Sequence, residues 1–313
     1  MTAPLDASFH RLLHAPTPAH AMEHLRDVLG GGPRLVVKRD DTIPFGFGGN
    51  KIRKLQFEIA KAINAGADTI VTLGGVQSNH ARATAATAAQ LGLRCVLIIN
   101  GEPPERPTAN ALLDRLLGAE IEYIPSRAER AESCERVMQR LRREGRNPYL
   151  IPLGASTSYG ALGFVHAVRE LKEQGIEPDV IVHATSSGGT QAGLIAGVAL
   201  AGLTSRVIGV SADDPSEAIQ RTVREIVRGI EGMESFDGAI EVDDRRVGAG
   251  YGAPTDESRE AQELAARREG FFVDHTYTAK ALGALIAYVR EERFRPDETV
   301  LFWHTGGQVG VFA

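Results

Sequence analysis

Cysteine is scarce in these 313 residues: the two present, Cys95 and Cys134, lie far apart, one in an apolar run and one in a charged stretch. That excludes a disulfide framework and a cysteine-based zinc site, and it points to a reducing compartment. Positive charge is not in excess either. The formal net charge is −5, which leaves no basic footprint for nucleic-acid phosphates. No apolar run approaches the length of a membrane span, and residues 1–14 lack the basic-then-apolar order of a signal peptide. A cytoplasmic protein without a membrane or nucleic-acid partner is therefore expected. His20 and His24 stand four residues apart, as metal ligands can, but no third ligand lies near, so no metal site is expected.

What is present is ordinary globular material, 43% hydrophobic and 24% charged, in a chain long enough for about two domains. β-branched and apolar runs predict strands at 35–37, 69–73, 95–99, 121–124, 149–151, 180–184, 207–210, 271–273 and 299–303. Between them, helical spacing predicts helices at 19–29, 51–64, 81–90, 109–117, 128–144, 161–174, 191–200, 218–228, 258–268 and 279–290. This alternation with short connections implies an α/β protein of two doubly wound, three-layer αβα units with parallel sheets. The Gly- and Ser-rich stretch 152–160 is the natural crossing between them.

Gly48-Gly49-Asn50-Lys51-Ile52-Arg53-Lys54-Leu55 is the stretch most suggestive of chemistry. Two glycines leave a turn, and Lys51 opens a helix at the positive end of its dipole, one turn from Lys54. Both neighbours disfavour the protonated amine, so Lys51 is a candidate nucleophile for an aldehyde cofactor. A solvated basic helix start is the alternative reading of the octapeptide alone.

In an open parallel sheet, ligands bind beyond the carboxyl ends of the strands. The turn 185–190 carries Ser187, Gly188, Gly189 and Thr190 ahead of a helix, so its backbone N–H groups and hydroxyls form a phosphate cradle. It lacks the lysine of a Walker loop and the spacing of a dinucleotide fingerprint. In 74–80, Ser78 and Asn79 precede another helix and could be caps. Four consecutive polar residues, Gln77 to His80, exceed what one cap requires and suit a carboxylate or polar ring substituents. An amine, a phosphate cradle without nucleotide signatures and a polar helix start together suggest pyridoxal 5'-phosphate.

The chain resembles the tryptophan-synthase-β-like (fold type II) pyridoxal-phosphate enzymes, and within them the branch of D-cysteine desulfhydrase and 1-aminocyclopropane-1-carboxylate deaminase. The resemblance spans nearly the whole chain. It rests on Ala15-Pro16-Thr17-Pro18, Lys38-Arg39-Asp40-Asp41, the Lys51 octapeptide, Gln77-Ser78-Asn79-His80, Gly189-Thr190-Gln191-Ala192-Gly193, Tyr251-Gly252-Ala253-Pro254, Tyr277-Thr278-Ala279-Lys280 and His304-Thr305-Gly306-Gly307, in that order. It implies Lys51 as the Schiff-base lysine, with Asn50 beside it and Asn79 on the cofactor's ring oxygen. Ser187 to Thr190, helped by Lys54, would hold the phosphate. Tyr277 would lie against the ring, Thr278 would meet its nitrogen, and Thr305 would be a further cofactor contact. Ser78, Asn79, His80 and Tyr251 would line the substrate side, with Lys51, Ser78 and Tyr277 as catalytic groups. The fold it implies has a larger domain, 1–50 with 153–313, and a smaller inserted one, 51–152, with the cofactor between them in a homodimer.

Two positions separate the branches. The deaminase carries a glutamate at the position of Thr278 and a leucine at that of Thr305. A carboxylate there keeps the ring nitrogen protonated, which suits ring opening, whereas thiolate elimination needs less. These residues, and His80, favour the desulfhydrase side, so β-elimination from D-cysteine to pyruvate, ammonia and sulfide is the expected reaction. A lyase for another β-substituted amino acid, such as L-cysteate, and the deaminase itself are the alternatives. Asp274-His275-Thr276-Tyr277 departs from the family's usual Asp-Pro-Val-Tyr, and Gln308-Val309-Gly310 follows the last motif, where the family typically places a proline.

Overall fold

The computed structural model describes residues 2–313; Met1, the first residue of the region read for a signal and of the larger expected domain, lies outside the described residues. In chain order the elements are β1 (Ala19–Ala21), α1 (Glu23–Val28), β2 (Arg34–Arg39), α2 (Asn50–Asn64), β3 (Thr69–Gly75), α3 (Asn79–Gln90), β4 (Arg94–Asn100), α4 (Ala109–Leu116), β5 (Glu120–Ile124) and α5 (Arg130–Arg143). Then come β6 (Pro148–Leu150), α6 (Ser158–Glu173), β7 (Val180–Thr185), α7 (Gly189–Leu200), β8 (Arg206–Ser211), α8 (Ser216–Arg228), β9 (Glu241–Asp243), α9 (Asp256–Leu264), α10 (Thr278–Arg290) and β10 (Thr299–His304).

They form two sheets. The larger has the order β1-β2-β10-β7-β8-β9, parallel except for β1, and the smaller the order β5-β4-β3-β6, parallel throughout. Alternation along each strand supplies both faces. Val36 and Ile181 pack with α6 and α7, while Leu35, Val37, Val180 and Val182 pack with α10 on the other side. Ile70 and Leu97 likewise face α2 and α3, and Val71, Val96 and Ile98 face α5. Strands buried on both sides read as continuous apolar runs, which is why they were legible. The protein is thus the expected α/β fold.

Two local expectations fail, and one strand was not foreseen. The helix expected at 19–29 is shorter, because Ala19–Ala21 pairs antiparallel with β2 as an edge strand. Residues 271–273 form no strand: the Phe272 carbonyl accepts from His304 and the Val273 carbonyl from Gln262, so the backbone is committed elsewhere. The three-residue strand β9, Glu-Val-Asp, carries no apolar run and exists through its pairing with β8.

Helix α2 is braced from behind. The buried Arg53 guanidinium donates to Asp40 at 2.8 and 2.9 Å and to Glu170 at 2.9 and 3.0 Å, and Lys38 Nζ reaches Glu170 at 2.6 Å. Trp303 Nε1 and Thr17 Oγ1 also donate to Asp40. Several motif residues that carry the resemblance thus hold the Lys51 helix in place and lie outside the cavity.

Candidate active site

A cavity of about 720 Å³ opens at the carboxyl ends of strands from both sheets. It collects the loops after β3, β7, β8 and β10, as the strand-end rule anticipates.

Lys51 lies on its wall. The turn before it needs glycine: Gly48 and Gly49 have φ of 68° and 96°, and a Cβ on Gly48 would stand 2.6 Å from the Ile43 carbonyl oxygen. The start of α2 is then pinned twice. Asn50 N donates to the Thr305 carbonyl at 2.9 Å, and Asn50 Nδ2 donates to Thr190 Oγ1 at 2.9 Å. Burial, aided by the nearby Arg82 cation and opposed by Asp274, lowers the Lys51 pKa to about 8. The cation that adds to burial here is Arg82, where the sequence pointed to Lys54.

At the opposite wall, Gly188 takes a left-handed φ of 76° and α7 begins at Gly189, where a Cβ would stand 2.8 Å from Ser156 Cα. The first N–H groups of a helix have no partner within it; that of Gly189 goes to the Ser187 carbonyl at 3.0 Å, which leaves its neighbours in this turn as donors. Thr190 Oγ1 accepts from Asn50, which leaves its own proton to donate. Ser187 Oγ lies 2.7 Å from Ser156 Oγ, and buried Lys54 donates to Ser156 at 3.1 Å, so Lys54 reaches this loop through Ser156. Thr185 Oγ1, buried at the end of β7, has no partner among the described residues. A cradle of small residues with an orphaned hydroxyl fits a phosphate group.

On the third side, Ser78 caps α3 by accepting from Ala81 N at 3.2 Å. Asn79 Oδ1 accepts from Asn110 Nδ2 at 2.9 Å, which leaves the Asn79 amide N–H groups as donors. Asn110 Oδ1 in turn accepts from Arg82 Nε at 3.0 Å, and buried Arg82 also donates to the Gly46 carbonyl. His80 Nε2 lies 2.8 Å from Thr72 Oγ1, whose proton goes to the Ile151 carbonyl, so Nε2 carries the histidine proton. Burial, then Lys51 and Lys54, hold His80 well below its ordinary pKa, and Nδ1 is left unpartnered at the cavity wall.

Tyr277 and Tyr251 close the fourth side, hydroxyl to hydroxyl at 2.8 Å. Thr278 stands apart from the lining residues. Its hydroxyl donates to Asp274 Oδ1 at 2.7 Å and accepts from Asp274 N, which fastens the start of α10. Thr305 lines the cavity, with no side-chain hydrogen bond among the described residues. His304 holds it in place: Nδ1 accepts from Gly306 N at 3.2 Å and Nε2 donates to the Phe272 carbonyl at 2.9 Å. Of the departures, His275 lines the cavity, whereas Gln308 ties the C-terminal turn to the Asp41 carbonyl at 2.9 Å.

The cavity thus brings together Asn50, Lys51, Ser78, Asn79, His80, Ser187, Gly188, Thr190, Tyr251, Tyr277 and Thr305, while Lys54, Gly189 and Thr278 stand behind it. Asn110 and Arg82 were missed, and Thr185 was read only as part of the 185–190 turn. Arg82 had one signal, a position three residues after Asn79 on the same helix face; Asn110 had none.

A family model described as pyridoxal-phosphate dependent enzyme matches residues 10–306. The D-cysteine desulfhydrase of Klebsiella pneumoniae (strain 342) is 37% identical over 314 residues, covering 96% of this chain and 94% of that protein. The crystal structure of an ACC deaminase homologue superposes with a TM-score of 0.91 at 33% identity, covering 98% of this chain and 94% of that one. A fungal L-serine ammonia-lyase from Rhizomucor miehei shares the fold, with a TM-score of 0.71 at 20% identity over 96% of each chain.

Proposed function

This chain belongs to the pyridoxal-phosphate-dependent enzymes, and we propose that within them it is a carbon–sulfur lyase that converts D-cysteine to pyruvate, ammonia and sulfide. The observation that carries this reading is Lys51. Burial and the Arg82 cation lower its amine to a pKa of about 8, and it shares one cavity with the 185–190 cradle and the Asn79 amide. Bound pyridoxal phosphate supplies an electron sink that makes a substrate's Cα proton acidic.

This chain's residues do the rest. The helix start at Ser187 to Thr190 would receive the phosphate, with Lys54 bracing the loop through Ser156. Asn79 donates to the ring oxygen. Thr305, whose hydroxyl is uncommitted, would be the group nearest to hand for the ring nitrogen, with Thr278 behind it holding Asp274. Ser78 and its neighbours, at the positive end of α3, take the substrate carboxylate. His80 and Tyr251 line the same side. Lys51 would take the Cα proton, with the Tyr277 hydroxyl on the wall of the same cavity. Thiolate leaves Cβ, and the unsaturated amino acid left behind hydrolyses to pyruvate and ammonia.

We take residues 1–50 with 153–313, and 51–152, as the two domains. We place the protein in the cytoplasm, in keeping with two free, buried cysteines. We also assign it as a homodimer. Exposed Leu112 and Leu116 on α4, and exposed Val311 and Phe312 on the turn that packs against that helix, offer apolar surface suited to a second copy.

The test is a panel of D- and L-cysteine, L-cysteate, D-serine and 1-aminocyclopropane-1-carboxylate, with pyruvate, sulfide and 2-oxobutanoate measured. D-Cysteine is expected to give sulfide and pyruvate in equal amounts. 2-Oxobutanoate as the main product would establish the deaminase instead. Pyruvate from none of the panel would mean a cofactor-binding protein without this activity.

A further inference from the structure

Arg127 stands on the turn that follows β5 and reaches across the cavity mouth to donate to Asp213 Oδ2 at 2.8 Å. Among the described residues it makes the only ion pair between residues 69–150 and residues 177–313. The other carboxylate oxygen of Asp213 accepts from Ser186 Oγ at 3.1 Å, so the carboxylate is fixed from the cradle side. The same guanidinium lies 5.1 Å from the centre of the Tyr251 ring. Tyr251 meets Tyr277 edge to face, with ring centres 5.8 Å apart.

The loop under Tyr251 does little to place that ring by itself. Gly248, Gly250 and Gly252 all have left-handed φ, and 38% of Tyr251 is exposed. Lys280 Nζ fastens the root of the loop, donating to the Val247 and Gly250 carbonyls at 2.8 and 3.0 Å. Beyond that root, the ring is held by Tyr277 on one side and by Arg127 on the other.

We propose that Arg127 is a positioning residue for the Tyr251–Tyr277 pair: anchored on Asp213, it holds the Tyr251 ring from the smaller sheet and so sets how the two hydroxyls meet. This rests on the reading above, in which Tyr277 works beside Lys51. A cation near an aromatic ring also stabilises negative charge on the phenol oxygen. Burial, Asp274 and Asp213 raise the Tyr251 pKa while Tyr277 and Arg127 oppose them. Burial, Tyr251, Asp274 and Asp213 raise Tyr277 further still, with Arg130 also close to both rings. Tyr251 is therefore the first of the pair to lose its proton, and Tyr277 then donates to it.

The test compares wild type, Arg127→Met and Arg127→Lys, each also in a Tyr251→Phe background. Tyrosinate absorbance is titrated with pH, and kcat and KM are measured on the holoenzyme. Arg127→Met is expected to move one tyrosine titration upward and to lower kcat about tenfold with KM little changed. Arg127→Lys restores part of both. In Tyr251→Phe the titration shift disappears. A titration unchanged in Arg127→Met, or a shift of equal size in the Tyr251→Phe background, overturns the proposal. Titration needs no turnover, so a wild type that releases no sulfide refutes the elimination reading without obscuring whether Arg127 governs Tyr251.

Discussion

Asn110 Nδ2 donates to Asn79 Oδ1 at 2.9 Å, and that one bond turns the Asn79 amide so that its N–H groups are free on the cavity side. Asn110 is itself almost fully buried, on the first turn of α4, and donates also to the Gln77 carbonyl at 3.0 Å. It thus ties Gln77 and Asn79 together on the cavity wall.

Asn110→Leu is accordingly expected to weaken cofactor binding about tenfold, the cost of one lost orienting hydrogen bond. Spectroscopic titration of the apoprotein with pyridoxal phosphate measures it. Affinity equal to the wild type would show that Asn79 keeps its orientation unaided.

The Lys51 amine should titrate far below an ordinary lysine. Burial is the larger cause and Arg82 adds to it, bringing its pKa to about 8. The neutral amine attacks the aldehyde, so the rate of cofactor capture by apoprotein should rise with pH through a midpoint near 8. Arg82→Met should move that midpoint up. A wild-type midpoint in the ordinary lysine range would contradict the assignment.

Behind α2, the Arg53–Asp40–Glu170 cluster should matter more to stability than to chemistry. Arg53→Met leaves two buried carboxylates with lost partners and is expected to cost about 3–5 kcal/mol in urea unfolding. The Arg53 and Lys38 cations hold the Glu170 carboxyl at a pKa of about 2, below the ordinary 4.5. A depressed carboxylate stabilises above its unfolded value and loses that contribution as pH falls toward its folded one. Glu170→Gln should therefore flatten the loss of stability between about pH 4.5 and 2.

These residues mark what the sequence could and could not say. Thr17, Lys38, Asp40 and Arg53 stand in the motifs that carry the family likeness, yet they form one buried ion cluster whose geometry no local pattern announces. The strands were legible because both sheet faces are covered, and the loops 74–80 and 185–190 because polar and glycine residues interrupt apolar runs there. Asn110 and Arg127 were not, since each reaches its partner across 31 and 86 residues of chain. The hydroxyl of Thr278 looked available from sequence, but Asp274, four residues earlier, takes its proton.

The central claim is that Lys51 is the amine that bonds the cofactor. Borohydride reduction of the protein loaded with pyridoxal phosphate, followed by peptide mass mapping, tests it most directly. The account predicts a single pyridoxyl label, on Lys51, and none in a Lys51→Ala variant. A label on Lys54 or Lys280, or a wild-type protein that takes no label, would contradict it.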